Sequence, residues 1–325
     1  MPQIIRPATH EDIAQMSALL EDAARARAAG DPALWRLSPD LRAEISDAVH
    51  AALTRPDQPF RQFWLVAEQS GRLTGVIHAM LLPVPPIYAG PQGDPGLILP
   101  DHAVADDAAP GTHAALLAAA ESALRAAGAQ ILLTSFVRGD DWRAAFVAAG
   151  YDPLTLYLSR EGPQGDAQAA RPATAQDIPG IVARSAENRE ILFEIDPFWA
   201  IHPEADARFG AWMQRSLTLT DRDMLVHGPA ADVEGYLIAQ PASRLHFPVG
   251  HDISAVGVID DFYHRDLAAG GTGAAALLQA GEAAFAARGT QAVFVVCPAG
   301  WAAKIALLEQ AGYATAMVWS IKRMG

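Results

Sequence analysis

The residues best suited to chemistry lie together in one stretch. An apolar run, "SAVGVIDDFY", ends in two adjacent aspartates, Asp260 and Asp261, with Phe262 and Tyr263 beyond them. Shortly after comes "LAAGGTGAAALL", where three glycines fall within four residues ahead of an alanine and leucine run. Read as a strand, a glycine loop and a helix, this junction turns several backbone N–H groups towards an anion at the helix N-terminus. Glycine lets backbone approach closely and take positive φ. The loop Ala268, Ala269, Gly270, Gly271, Thr272, Gly273 and the following Ala274 therefore suit a pyrophosphate. The same glycines serve equally well as a tight turn that lets helix and sheet pack closely. A dinucleotide-binding fingerprint does not fit, because the loop comes late in its domain and the next strand ends in Cys297-Pro298 rather than an acid. A P-loop does not fit either, since no Gly-Lys-Ser/Thr is present.

Other reactive side chains carry less. Cys297 ends the run "AVFVVC" with no positive neighbour in sequence, so it reads as a packed thiol. It is the single cysteine, which excludes an intrachain disulfide. The 10 histidines show no metal-like spacing, and no metal is expected. His246 and His251 read as surface or loop residues.

Composition narrows the partners. The chain has 325 residues and a formal net charge of −13, which phosphate backbones would repel, so a nucleic-acid partner is not expected. The start "MPQIIRPATHEDIAQ" lacks a basic segment followed by an apolar one, so no signal peptide is read. No apolar segment runs uninterrupted for the length of a membrane span, and Glu121, Arg125, Gln279 and Glu282 break the alanine-rich runs. A soluble, cytoplasmic protein with no membrane partner is expected.

The positioning elements come in two copies. "RPATHEDI" (6–13) recurs 165 residues on as "RPATAQDI" (171–178). In the same order, "PGTHAALL" faces "GGTGAAALL", "AGAQILL" faces "RGTQAVF", and "AAGYD" faces "QAGYA". A period this long marks a duplicated domain and not a solenoid. Between the copies "EGPQGDAQAA" reads as a linker. The expected organisation is a domain over 1–160, a linker over 161–170 and a domain over 171–325.

Each copy shows the order β-α-α-β-β-β-α-β-α-β. An extended segment precedes a helix that opens at Thr-x-x-Asp, where the threonine can cap. A hairpin turns at Ser70-Gly71 in the first copy and near Gly228-Pro229 in the second. Antiparallel hairpins combined with a βα crossover predict an α/β fold. Each copy is expected to form a mixed, mostly antiparallel sheet flanked by helices.

Both copies resemble the GNAT superfamily of acetyl-CoA-dependent N-acetyltransferases. The strand "Ile259-Asp260-Asp261-Phe262-Tyr263", the loop 268–273 and the late "Leu307-Leu308-Glu309-Gln310-Ala311-Gly312-Tyr313" match that family's fourth strand, pyrophosphate loop and last helix. The resemblance runs through nearly the whole chain, twice. It implies acetyl transfer from acetyl-CoA, as co-substrate, to a primary amine of a small molecule, by a monomer or homodimer. Two departures stand out. The loop's first position, Arg or Gln in the family, is Ala268. The first copy reads Ala108-Ala109-Pro110-Gly111-Thr112-His113, where proline removes an N–H donor and histidine adds bulk. The second copy is therefore expected to bind acetyl-CoA and the first to bind it poorly.

The resemblance also implies roles. Residues 261–263 would run beside the pantetheine arm, a backbone N–H there would hold the oxyanion, and Asp260 or Asp261 would take the amine's proton. Strand alternation points these two to opposite faces. Asp261 is preferred, because Asp101 is its repeat partner. The family's tyrosine acid is missing: its position is Leu308 here and Phe146 in the first copy, which leaves Tyr263 or water. The acceptor would lie against 187–216, with Phe198, Trp199, Phe193 and Glu194 or Asp196 as contacts. Phe209 and Trp212 read better as core. The alternative to an enzyme is an acyl-CoA-binding sensor or scaffold without catalysis.

Overall fold

The two copies begin with the same local device. Arg6 forks onto Asp12 at 2.7 and 2.8 Å, and the same carboxylate accepts the Thr9 amide at 2.8 Å. Arg171, Asp177 and Thr174 repeat the arrangement at 2.9, 2.6 and 2.8 Å. The threonine's backbone N–H is met by the acid three residues later, which starts a helical turn, and the arginine ties that turn to the first strand. The computed structural model describes residues 3–323 apart from 56, 59, 168, 169, 231, 245 and 246.

In the first copy the strands are β1 (Ile4–Pro7), β2 (Gln62–Gln69), β3 (Arg72–Leu81), β4 (Gly96–Ile98), β5 (Ala103–Val104), β6 (Ile131–Val137) and β7 (Asp152–Glu161). Its helices are α1 (Ile13–Gly30), α2 (Leu41–Thr54), α3 (Thr112–Ala126) and α4 (Trp142–Ala148). The second copy has β8 (Arg171–Pro172), β9 (Asp223–His227), β10 (Gly235–Pro241), β11 (Val256–His264), β12 (Ala292–Pro298) and β13 (Ala314–Arg323). Its helices are α5 (Ile178–Ile195), α6 (Ala205–Ser216), α7 (Thr272–Ala287) and α8 (Ala302–Gln310).

Among the described residues the strands make one 13-stranded sheet, in the order β1-β2-β3-β4-β6-β13-β7-β12-β11-β10-β9-β8, with β5 beside β3. Only β4–β6 and β11–β12 run parallel. The mixed, mostly antiparallel sheet is thus as expected, but the two copies close it in an unexpected way. The last strand of the second copy, β13, lies between β6 and β7, and β7 pairs with β12. Each copy has handed its closing strand to the other. Helices cover both faces: Met16, Leu20, Ile45 and Val49 of α1 and α2 pack on one side of the first copy's strands. Leu116, Leu117, Ala120 and Leu124 of α3 pack on the other. A larger core surrounds the second copy and the junction.

Loops are exchanged as well as strands. The segment after β3 reaches the second copy, where Tyr88 bridges Ile201 and the Ala89 amide donates to the Ala200 carbonyl at 2.6 Å. The segment after β10 reaches back, where the Ser38 amide donates to the Gly250 carbonyl at 2.9 Å and Arg36 pairs with Asp252 at 2.7 Å. This docking corrects the reading of His251 as a surface residue. It is fully buried, edge-on to Trp35, with Nδ1 3.0 Å from the Trp35 carbonyl. His246 lies outside the described residues. No described helix is long and apolar enough to cross a membrane.

Candidate functional site

The parallel pairing of β11 with β12 runs from Val256 to Ile259 and then stops. On the other edge, β10 pairs Ala239 with Ile259 and Leu237 with Phe262, so Asp260 and Asp261 together face Ile238. This is a β-bulge, which interrupts alternation and re-aims side chains, commonly beside active sites. It removes the strict alternation on which the expectation of opposite faces rested: Asp260 is exposed and Asp261 partly buried, and the charges of both reach Tyr88 and Lys304. Beyond the bulge the strands are free to part, and the ends of two parallel strands form the crevice where open α/β sheets hold ligands.

Asp261 is half-buried at this bulge. Its carboxyl is pushed up to about 7, first by burial and then by the charge of Asp260, against the pull of Lys304 and Arg189. The Tyr236 hydroxyl stands 3.5 Å from Asp261 Oδ1. Burial and the two aspartates raise Tyr88, which the first copy contributes. Lys304 is buried, and its ammonium donates to the Phe262 carbonyl at 2.9 Å. Burial lowers its pKa. Tyr263 turns towards α5. Burial, followed by the charge of Glu187, pushes its hydroxyl up to about 12, an ill-matched proton donor at neutral pH.

The equivalent position in the first copy is built differently. Asp101 is buried, its Oδ1 accepts the Val249 amide at 2.9 Å, and His78 lies 3.7 Å from its other oxygen. Burial would raise this carboxyl, but His78 and the amide hold it below its usual value. Pro100 precedes it, and the strand is split into β4 and β5 around it. A cavity of about 990 Å³ opens beside these residues, lined by Asp22, Asp31, Asp106, Asp140, Arg27 and Arg138 among others.

The glycine loop has the shape the sequence implies. Gly270 and Gly271 take φ of 107° and 64°, values that favour glycine, and α7 begins directly after them. Its donors, however, converge on one residue of the chain itself. The Ala269 and Gly271 amides donate to the Asp266 carbonyl at 2.8 and 3.0 Å. The Gly273 and Ala274 amides donate to the Asp266 carboxylate at 2.7 and 3.2 Å, and Thr272 Oγ1 lies 3.4 Å from it. Ala268 offers no polar side chain. A second cavity, about 540 Å³, lies between α7 and α8 and begins at Ala275. The connector residues Gln164, Gly165 and Asp166 also line it.

The remaining residues singled out in the sequence are dispersed. Glu194 and Phe193 are exposed on the last turn of α5, while Phe198 and Trp199 meet edge to face at 5.7 Å, with Trp199 in the core. Asp196 caps the Phe198 amide at 2.8 Å and pairs with Arg323. Phe209 is core, but Trp212 is 39% exposed under the guanidinium of Arg222, against its expected packing. Leu308 and Cys297 are fully buried, and burial pushes the thiol up to about 11.

Several residues of the crevice escaped the sequence reading. Arg184, Ser185, Asn188 and Arg189 form a buried polar face on α5, an unusual composition for a helix interior to a domain. Arg184 Nε and Nη1, Asn188 Oδ1 and Arg189 Nε find no protein partner among the described residues. Their three- and four-residue spacing was a readable signal. No sequence signal marks Tyr88, Lys304 or Tyr236. Nor does histidine spacing mark the cluster His227, Glu234 and His264, because its members come from neighbouring strands and lie 7 and 37 residues from His227.

No protein-family model matches this sequence, and no curated protein matches it. Solved structures do. A GCN5-related N-acetyltransferase from Sphaerobacter thermophilus superposes with a TM-score of 0.58 at 16% identity, over 99% of this chain and 96% of that one. A tandem GNAT protein from the clavulanic acid biosynthesis pathway gives 0.50 at 14% identity, over 100% and 99%. The glucosamine N-acetyltransferase region of a fungal multi-domain GH3 β-N-acetylglucosaminidase gives 0.53 at 16%, over 99% of this chain and 38% of that one. The chain therefore has the fold of the GCN5-related N-acetyltransferases. It carries that fold twice, as the tandem protein does.

Proposed function

We propose that this protein is an acetyl-CoA-dependent N-acetyltransferase acting on a primary amine of a small molecule. The chemistry is assigned to the second copy, 171–325, joined through 161–170 to a first copy, 1–160, that binds acetyl-CoA poorly. The observation that carries this reading is the contrast between Asp261 and Asp101. The same position in the repeat is a carboxyl raised by burial and by Asp260 in one copy, and one lowered by His78 and a backbone amide in the other. A base poised near the working pH is what deprotonation of an alkyl ammonium requires.

In this reading Asp261 takes the proton of the incoming ammonium, and the amine attacks the thioester carbonyl. The carbonyl oxygen is held by a backbone N–H of 261–263, with Asp260 adding charge beside the base. The C–S bond then breaks and the departing thiolate takes the proton held on Asp261; the freed carboxylate takes the second proton from the new amide nitrogen and passes it to solvent, so no tyrosine at 308 is required. Ala268, Ala269, Gly270, Gly271, Thr272, Gly273 and Ala274 would carry the pyrophosphate, with Phe262 and Tyr263 along the pantetheine. Phe198, Trp199 and Glu194 are kept as acceptor contacts. The orphaned donors of Arg184 and Arg189 favour an amine that also bears an acceptor or anionic group, and the Asn188 Oδ1 suits a donor such as the amine itself.

The test is thiol release from acetyl-CoA against a panel of primary amines, for the parent and for Asp261→Asn. Amine-dependent release, reduced by about 10²-fold or more in the variant, is expected. A second reading is an acyl-CoA-binding sensor without catalysis. Leu308 favours it: a fully buried leucine stands where the resembling family has its tyrosine acid, so no dedicated proton donor meets the departing thiolate. Binding of acetyl-CoA with no turnover on any amine would select that reading.

A further inference from the structure

We propose that His227, Glu234 and His264 form a binding site for a first-row divalent metal ion, with zinc the ion their chemistry suits. The inference does not depend on the function proposed above. Gly235 pairs with His227 on one side and His264 on the other. The three side chains therefore project from adjacent strand ends: the last residue of β9, the residue before β10, and the last residue of β11.

Their ligand atoms form a compact triangle. His227 Nδ1 is 3.1 Å from Glu234 Oε2, His264 Nε2 is 3.1 Å from His227 Nδ1, and His264 Nε2 is 3.9 Å from Glu234 Oε2. A tetrahedral zinc with bonds of about 2.0–2.1 Å sets its ligand atoms about 3.3 Å apart. Two edges, at 3.1 Å, fall just short of that value and the third, at 3.9 Å, exceeds it, so a small turn of the Glu234 side chain completes the set.

The surroundings of the ring point the same way. His264 Nδ1 lies 2.6 Å from Asp266 Oδ1 and accepts the Asp266 amide at 3.1 Å, while Nε2 is the ring nitrogen turned towards His227. A carboxylate behind the imidazole is the usual support of a metal-bound histidine, fixing its tautomer and raising its basicity. The pocket is shaped around this ring. A Cβ at Gly235 would lie 2.3 Å from His264 Cδ2, and one at Gly273 would lie 2.4 Å from Cε1. His264 is buried, while the side chains of His227 and Glu234 are 31% and 44% exposed, which leaves an open side for a water as fourth ligand. Two imidazoles and one carboxylate, without sulfur, are a donor set of zinc sites with an open position.

The test uses the full chain after chelator treatment, titrated calorimetrically with zinc chloride. Co²⁺ serves as a second probe, for its visible absorption in a four-coordinate site. His227→Ala and Glu234→Gln are the variants, both at partly exposed positions that leave the core intact. One equivalent of zinc is expected in the parent, with binding at least tenfold weaker in each variant and the Co²⁺ bands lost. Zinc should raise the melting temperature of the parent and not of His227→Ala. No uptake by the parent, or uptake that neither substitution changes, overturns the assignment.

Discussion

The ammonium of Lys304 closes onto the carbonyl of Phe262 at 2.9 Å, within the gap where β11 has parted from β12. The first copy fills its own gap from the matching helix, where Trp142 packs on His102 with ring centroids 4.4 Å apart. In both copies, therefore, the helix after the parted strands reaches back into the opening. In the second copy Asp266 adds its carboxylate to the first amides of α7.

If acetyl-CoA enters this crevice, both contacts compete with it. An N-terminal carboxylate cap is worth about 1 kcal/mol and a hydrogen bond to a charged group about 1.5–3 kcal/mol. Each is within reach of a ligand that binds in the micromolar range, at about −8 kcal/mol. Lys304→Met and Asp266→Ala are each expected to tighten acetyl-CoA binding, by about tenfold, in a calorimetric titration. Weaker binding in either variant would make that residue a ligand contact and not a competitor.

Asp261 gives a stability signature with a definite sign. An unfolded aspartate ionises near 3.9. The folded one is pushed up to about 7. Between these values the native state holds a proton that the unfolded chain has released. Stability from this group is therefore full below about 4, falls as pH rises, and is gone above about 7. Asparagine has no such dependence. The melting temperature of Asp261→Asn relative to the parent should be higher at pH 8 than at pH 5. An equal difference at both would show that the carboxyl is not raised.

The exchanged strands predict how the chain behaves when cut. Residues 1–160 alone keep β7 but lack β13, the neighbour of both β6 and β7. Two exposed strand edges invite association. The fragment is expected to elute as aggregate or oligomer on gel filtration. Co-expressed with 171–325, it should co-purify as a one-to-one complex. A monomeric, cooperatively melting 1–160 fragment would contradict the exchange.

Much of this arrangement was legible in the sequence. The duplicated Arg-Pro-Ala-Thr-x-x-Asp start, the order of strands and helices, and the glycine loop with its positive φ all follow from local patterns. The exchange of β7 and β13 does not, because the repeat that reveals the duplication also makes the two slots look alike. Both strands follow a Gly-Tyr pair and both are apolar, so either could lie beside β6 or β12. The bulge at Asp260 and Asp261 was hidden for a different reason: one extra residue opposite Ile238 leaves the apolar run unchanged while cancelling its alternation. Lys304 reads as an ordinary helix-surface residue, and only the parting of the strands turns it inward. Gly273 was read as serving a phosphate, yet its missing Cβ also makes room for His264.

The placement of β13 also orders events during synthesis. Its ten residues, Ala314–Arg323, follow every other described strand along the chain, yet they form the seam between the two copies. The first copy cannot finish its sheet while the second is being made, however long its own residues have been free. Its β6 edge lacks this partner until the rest of the second copy has been made. Contacts this distant along the chain close slowly. Removal of β13 would damage a copy whose other strands all precede it in the chain.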